Sequence, residues 1–135
     1  GANDTDLVKI AGEKASAGFS FISPPAPEDL RSPRVKTFLD RYMKVYGTRL
    51  TSIYALFAGD AFIAVTESIR RLQTTDPDRI SDYLHRNYFN PAALTGKQYF
   101  DYKGDVMNDL HGLYKVDNAG RFILQNLMAH GHVGK

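Results

Sequence analysis

Apolar residues along the chain recur at three- and four-residue steps in some stretches and at every second position in others, and that change of period marks out the elements. Near the start, Leu7, Val8 and Ile10 make a short turn or two of helix, with Asn3, Asp4 and Thr5 as candidate caps and Gly12 as its stop. Ala17 to Ile22 reads as a strand with Phe19 and Phe21 on one face. Ser23-Pro24-Pro25-Ala26-Pro27 follows. Proline lacks the N–H that a ladder or a helix interior requires, so this segment predicts a stiff extended connector.

Ser32-Pro33, a cap followed by a residue with pre-set φ, starts a helix whose apolar stripe is Val35, Phe38, Leu39, Tyr42, Met43 and Tyr46, and which Gly47 ends. A second helix, about Ser52 to Leu72, is apolar almost all round until Thr66, the pattern of a helix buried on most sides. Asp76-Pro77 opens a third, with Ile80, Tyr83 and Leu84 facing inward. After Pro91 the period becomes two, and Gln98 to Tyr102, Leu113 to Val116 and Arg121 to Gln125 read as strands joined at Lys103-Gly104-Asp105 and Asp117-Asn118-Ala119-Gly120. The order is short helix, strand, three main helices and a β-meander, over residues 1–128. A tail over 129–135 has little to bury and reads as flexible.

The second helix poses a problem for a self-sufficient fold. Only two amphipathic helices and a few short strands are present to cover it. Burying a large apolar side chain contributes roughly 1.5–3 kcal/mol, so exposing several would remove much of a folding stability of about 5–15 kcal/mol. Either the chain self-associates or it is separated from a larger partner segment, and the second is the favoured reading.

Composition narrows the classes. A chain of 135 residues makes one compact domain that buries roughly two thirds of its unfolded surface. A hydrophobic share of 43% and a charged share of 24% are those of an ordinary globular chain, not a disordered one. Net charge is +2, without the clustered basic excess of a nucleic-acid partner. The densest basic stretch, Arg31, Arg34, Lys36, Arg41, Lys44 and Arg49, is interspersed with or flanked by Glu28, Asp29 and Asp40 and reads as a solvated helix face. The absence of cysteine rules out disulfides and thiolate chemistry. No signal peptide opens the chain, and the longest apolar run, Ile53 to Val65, is too short for a membrane helix and contains Gly59 and Asp60.

Asp6-Leu7-Val8-Lys9-Ile10-Ala11-Gly12, Ala17-Gly18-Phe19-Ser20-Phe21 and the Pro24-Pro25 connector together resemble a segment of the type I periplasmic substrate-binding proteins of ABC transporters, in the Leu/Ile/Val-binding, hydrophobic-amino-acid family. Ala58-Gly59-Asp60-Ala61 stands where that family often carries Tyr-Asp-Ala, with Gly59 in place of the tyrosine, and Thr75-Asp76-Pro77-Asp78-Arg79-Ile80 resembles its "DPE-x-I" helix start. Thr95-Gly96, Phe100-Asp101, Lys103-Gly104-Asp105 and Ala119-Gly120-Arg121-Phe122 resemble its terminal "TG-x-x-x-FD-x-KGD … NGKF" pattern. Their order carries the weight, since each piece alone is only a turn or a cap.

The resemblance implies an α/β fold of two lobes joined by three crossing strands and closing on a ligand, of which this chain matches the C-terminal part; read alone, that part looks α+β. Pro24-Pro25 would lie at one crossing and Thr95 to Lys103 near the last. The upstream sheets and most ligand-binding residues would be missing, and the family's acidic partner for a ligand amine would fall just before the position matching Gly1. The implied protein is periplasmic and needs no cofactor. Its partners are a small ligand such as an amino acid, an ABC permease in the inner membrane and the missing N-terminal segments, with self-association of the isolated piece as a further possibility. The piece by itself is expected not to bind an amino acid tightly.

Tyr54 matches an aromatic position that in relatives lines the cleft beside the ligand's side chain; the other reading is a packed core tyrosine at the start of a buried helix. Asp60, a charge in an apolar helix, is read as pairing with a basic group or capping a neighbouring loop, because an unpaired buried carboxylate is costly. His130 and His132 make a poor metal pair without further ligands. His85 and His111 have no evident acid–base partner. Ser16, Ser20, Ser23 and Ser52 lack the glycine-flanked setting of a nucleophile, and no phosphate-binding glycine loop is present. An enzyme is therefore the least favoured class. A ligand-sensing domain of a receptor or regulator with the same fold is the alternative, and a small interaction protein that dimerises through its apolar helix is a third.

Overall fold

A glycine divides the first helical stretch in two. The computed structural model of the protein describes residues 6–131, with backbone only at 108–109 and 129–131. Helix α1 (Asp6–Ala11) ends where Gly12 takes φ 80°, and α2 (Glu13–Ser16) restarts directly after it. Strand β1 (Ser20–Ser23) then buries alternate residues, Phe21 and Ser23. Phe19 stands just before this strand; its ring stacks on that of Phe21 at 6.1 Å, so the two share a face, but only Phe21 is buried and Phe19 is exposed.

Residue contacts group the chain into two units, the first made of residues 1–25 and 110–129 and the second chiefly of Ala26–Asp109. The first break falls in the proline-rich connector, where Pro25 and Pro27 are buried and Pro27–Asp29 forms a short 3-10 turn. The return falls at Asp109/Leu110, beyond the Thr95–Lys103 stretch.

The first unit is a three-stranded sheet in the order β1-β4-β5, with β4 at Asn108–Val116 and β5 at Phe122–Gly131. β1 and β4 run antiparallel, pairing Phe21 with Tyr114 and Ser23 with Gly112. Phe21, Tyr114 and Val116 form its core, with Val8, Phe122 and Leu124 packed against them. The Phe21 ring stacks on Tyr114 at 5.4 Å and meets Phe122 edge-on at 4.9 Å, geometries that aromatic quadrupoles favour. Gly112 lies under this cluster, and a β-carbon there would come within 2.6 Å of the Tyr114 ring and 2.9 Å of Leu124. The opposite alternation leaves Ile22, Ile123 and Leu127 in solvent.

β5 corrects the sequence reading of the last strand, which ends it at Gln125. The strand's backbone runs to Gly131 although Gln125, Asn126 and Leu127 are all exposed and the alternation is lost there; the residues after 131 lie outside the described part.

In the second unit, α3 (Pro33–Tyr46), α4 (Ile53–Leu72) and α5 (Pro77–Arg86) follow one another. Pro33 starts α3 as expected, although the Ser32 side chain makes no capping bond, and Gly47 at φ 68° closes it. Asp76 caps α5 by accepting from the N–H groups of Asp78 and Arg79 at 3.0 and 3.2 Å, and α4 packs on α5. Of the stripe assigned to α3 only Val35 is fully buried, while Met43 and Tyr46 are exposed.

The strands after Pro91 divide between the two sheets. β2 (Asn90–Ala93) and β3 (Gly96–Gln98) form a separate hairpin, with Asn90 opposite Gln98 and Ala93 opposite Gly96. Pro91 lies within β2, which the sequence reading leaves unassigned; β2 is an edge strand with an irregular register, where a missing N–H is tolerated. Residues Gln98 to Tyr102, read as one strand, contribute only Gln98 to β3 and a lone bridge from Phe100 to Val106.

Two turns share one design. Asp101 Oδ1 accepts from the N–H groups of Lys103 and Asp105 at 2.8 and 2.9 Å, and Asp117 Oδ1 does the same for Ala119 and Arg121, both at 2.9 Å. In each, a glycine three residues on (Gly104, Gly120) takes positive φ. These bonds, chiefly those from the Asp105 and Arg121 backbone, hold both carboxyls below the usual carboxylate range.

Candidate functional site: helix α4 and its anchor

Helix α4 has two apolar faces and this chain covers one of them. Ile53, Leu56, Asp60, Ala64 and Ser68, spaced by three and four, form the buried stripe. Tyr54, Ala58, Ala61, Phe62 and Val65 lie on the opposite side and are exposed, Phe62 to 70%. The sequence reading had this helix buried on most sides; within this chain it is buried on one, because no described element packs over the second face.

Tyr54 is in the first turn of α4, 69% exposed, with its ring edge-on to Phe57 at 5.9 Å. It is not a core tyrosine in this chain. Its phenol stands at the N-terminal end of the uncovered stripe, offering an apolar ring and a polar tip.

Asp60 is the anchor. It is 1% exposed, yet both oxygens are satisfied. Oδ1 accepts from the Leu94 N–H at 2.7 Å, and Oδ2 accepts from the Thr95 N–H at 2.9 Å and the Thr95 hydroxyl at 2.7 Å. Of the two partners expected for Asp60, a basic group or a loop, the structure supplies the loop: the β2–β3 turn. Such charge-assisted bonds contribute about 1.5–3 kcal/mol each, which offsets the cost of burying the carboxylate. The turn is thereby fixed to the middle of α4, and Leu94 is set against Gly59, where a β-carbon would come within 3.1 Å of Leu94 Cδ1.

The remaining candidates serve local structure. Ser16 Oγ donates to the Gly12 and Glu13 carbonyls, Ser20 Oγ to Gly18 and Ser23 Oγ to Pro24. Ser52 precedes α4 without a capping bond. His85 fits against the Asp101–Asp105 turn, its Nε2 3.1 Å from where a Gly104 β-carbon would be. His111 lies in β4, the His130 side chain is not described and His132 is outside the described residues. Among the described residues no group of three or more His, Asp or Glu is placed to hold a metal, and no helix is long and apolar enough to cross a membrane.

No protein-family model matches the chain. The leucine-, isoleucine-, valine-, threonine- and alanine-binding protein of Pseudomonas aeruginosa is 30% identical over 108 residues, which is 80% of this chain and 27% of that protein. A leucine-binding protein of Thermotoga maritima superposes over 95% of this chain and 35% of its own, with TM-score 0.67 and 23% identity. A branched-chain amino acid ABC transporter periplasmic ligand-binding protein of Burkholderia xenovorans superposes over 94% of this chain and 34% of its own, with TM-score 0.66 and 14% identity. The chain resembles the type I periplasmic binding proteins and carries part of their fold. It spans about a quarter of the curated binding protein it matches and about a third of the solved ones. In that binding-protein fold, the mixture of α3–α5 with two small sheets is a partial α/β arrangement.

Proposed function

We propose that the chain is part of a periplasmic solute receptor that captures an amino acid or a related small acid or amide and delivers it to an ABC permease. The observation that carries this reading is the extent of the match: 80% of the chain aligns with a protein named for binding five amino acids. The exposed face of α4 supports it, because Phe62 and Val65 are explained as residues that further segments of the receptor cover and Tyr54 as one that the ligand covers. Tyr54 is the ligand contact, its ring against the ligand's side chain. The receptor works without chemistry and without a cofactor. Its ligand favours the closed form by binding it better than the open one, and the closed form is what the permease recognises. This chain alone leaves most of the cleft unbuilt and binds no amino acid tightly.

A chimera tests this. In it, this chain replaces the matching segment of the Pseudomonas aeruginosa protein, and thermal shifts are recorded with leucine, isoleucine, valine, threonine and alanine. The expected result is a ligand-dependent rise in Tm that Tyr54→Ala weakens about tenfold in affinity, the equivalent of part of one buried ring. A cooperatively folding chimera that responds to none of the five would defeat the proposal.

A further inference from the structure

We infer that the groove between α3 and α4 is a second small-molecule site, for a monocarboxylate with an aromatic or branched aliphatic body. The groove is open to solvent along one side, has a volume of about 370 Å³ and is lined by Pro33, Arg34, Thr37, Phe38, Arg41, Ile63 and Leu94, a volume within the usual range for small-ligand pockets of roughly 300–1,000 Å³. Its floor is apolar: Phe38 from α3, Ile63 from α4 and Leu94 from the loop that Asp60 fixes. Gly59 adds no side chain beside Phe38 and Leu94, which keeps the floor open.

The rim is cationic. Arg34 and Arg41 are seven residues apart, two turns of helix, and so share one face of α3. Arg34 donates from one terminal nitrogen to the Ala92 carbonyl, which orients its guanidinium and leaves further N–H groups to donate. Arg41 forms no ion pair among the described residues, whereas the neighbouring Lys36 is engaged with Asp40 at 2.9 Å. No carboxylate lines the groove, so a ligand's ammonium group would find no partner and an amino acid is disfavoured against a plain acid.

The site does not depend on the receptor reading. Ile63 is nine residues from Tyr54 and so about 180° around the helix, which places the groove on the other side of α4 from the uncovered stripe. Its failure and the failure of the amino-acid site are therefore separate outcomes.

The test is titration of the 135-residue chain with phenylacetate, phenylacetamide and leucine, followed by amide NMR. Phenylacetate is expected to shift the amides of Thr37, Phe38, Arg41, Ile63 and Leu94 saturably at millimolar concentration. Phenylacetamide and leucine should bind roughly three- to tenfold more weakly, the worth of one solvent-exposed charged contact. Arg41→Gln should cause the same loss for phenylacetate, Arg41→Lys should restore most of it, and Thr37→Trp, which fills the groove, should abolish binding. Each variant is at an exposed position, and the unshifted remainder of the spectrum reports whether it folds. Equal binding of acid and amide, shifts scattered over both units, or no saturable shift would overturn the inference.

Discussion

Replacing Asp60 with alanine removes three hydrogen bonds at once and tests whether the β2–β3 turn is held by helix α4. Leu94 is buried, so its N–H would be left without a partner in a place water reaches poorly; an orphaned buried donor costs about 1–3 kcal/mol. Thr95 is only partly buried, and its N–H and hydroxyl can turn to water, which adds about 1 kcal/mol more. The expected destabilisation for Asp60→Ala is thus about 2–4 kcal/mol. Asp60→Asn keeps the shape but turns one accepting oxygen into a donor facing a donor, with an expected loss of about 1–3 kcal/mol. Thr95→Val removes only the hydroxyl bond of 2.7 Å and is expected to cost about 1 kcal/mol. In the Asp60→Ala background Thr95→Val should cost almost nothing, because its acceptor is gone. Urea unfolding gives the totals, and hydrogen exchange at the Leu94 and Thr95 amides shows where they act. If Asp60→Ala costs under about 0.5 kcal/mol and the Leu94 amide keeps its protection, the anchoring argument is wrong.

Three further outcomes follow from the geometry. Gly112→Ala forces a methyl to within 2.6 Å of the Tyr114 ring; the expected loss is about 1–3 kcal/mol, with a changed near-UV signal from the displaced tyrosine. Gln73 ends α4 in a left-handed conformation at φ 52°, so Gln73→Gly is expected to raise stability by about 0.5–1 kcal/mol in urea unfolding. Asp101 and Asp117 have folded pKa values below the usual carboxylate range. Their turn stabilisation is therefore complete above the ordinary carboxylate pKa and is lost as pH falls through the depressed values. Exchange rates of the Asp105 and Arg121 amides, corrected for intrinsic chemistry, should rise across that acidic window, and a flat profile would contradict the assignment.

Much of the second unit could be read directly. Pro33, Gly47, Asp76 and Pro77 bound their helices by backbone chemistry that does not depend on neighbours, and Asp101 and Asp117 make turns within five residues. What could not be read was pairing at a distance. β2 begins Asn90-Pro91 and lacks any alternating pattern, so its strand character comes only from the hairpin partner Gln98. β1 and β4 pair across some ninety residues, and nothing local in Ser20–Ser23 names that partner. Asp60 was readable as a buried charge needing a partner, yet Leu94 and Thr95 supply backbone groups that no side-chain pattern announces. The Arg34 and Arg41 groove was taken for a solvated face, since charge spacing shows a shared side but not the apolar floor between two helices.

Oxidative footprinting of Tyr54, Phe62 and Val65 tests the account's central claim most directly, because that claim is that the second face of α4 is an inside surface. The 135-residue chain and the Pseudomonas aeruginosa chimera are labelled side by side, with and without leucine. The account expects Phe62 and Val65 to be modified in the chain alone and protected in the chimera, and Tyr54 to be protected in the chimera chiefly when leucine is added. Equal labelling of Phe62 and Val65 in both proteins would contradict it.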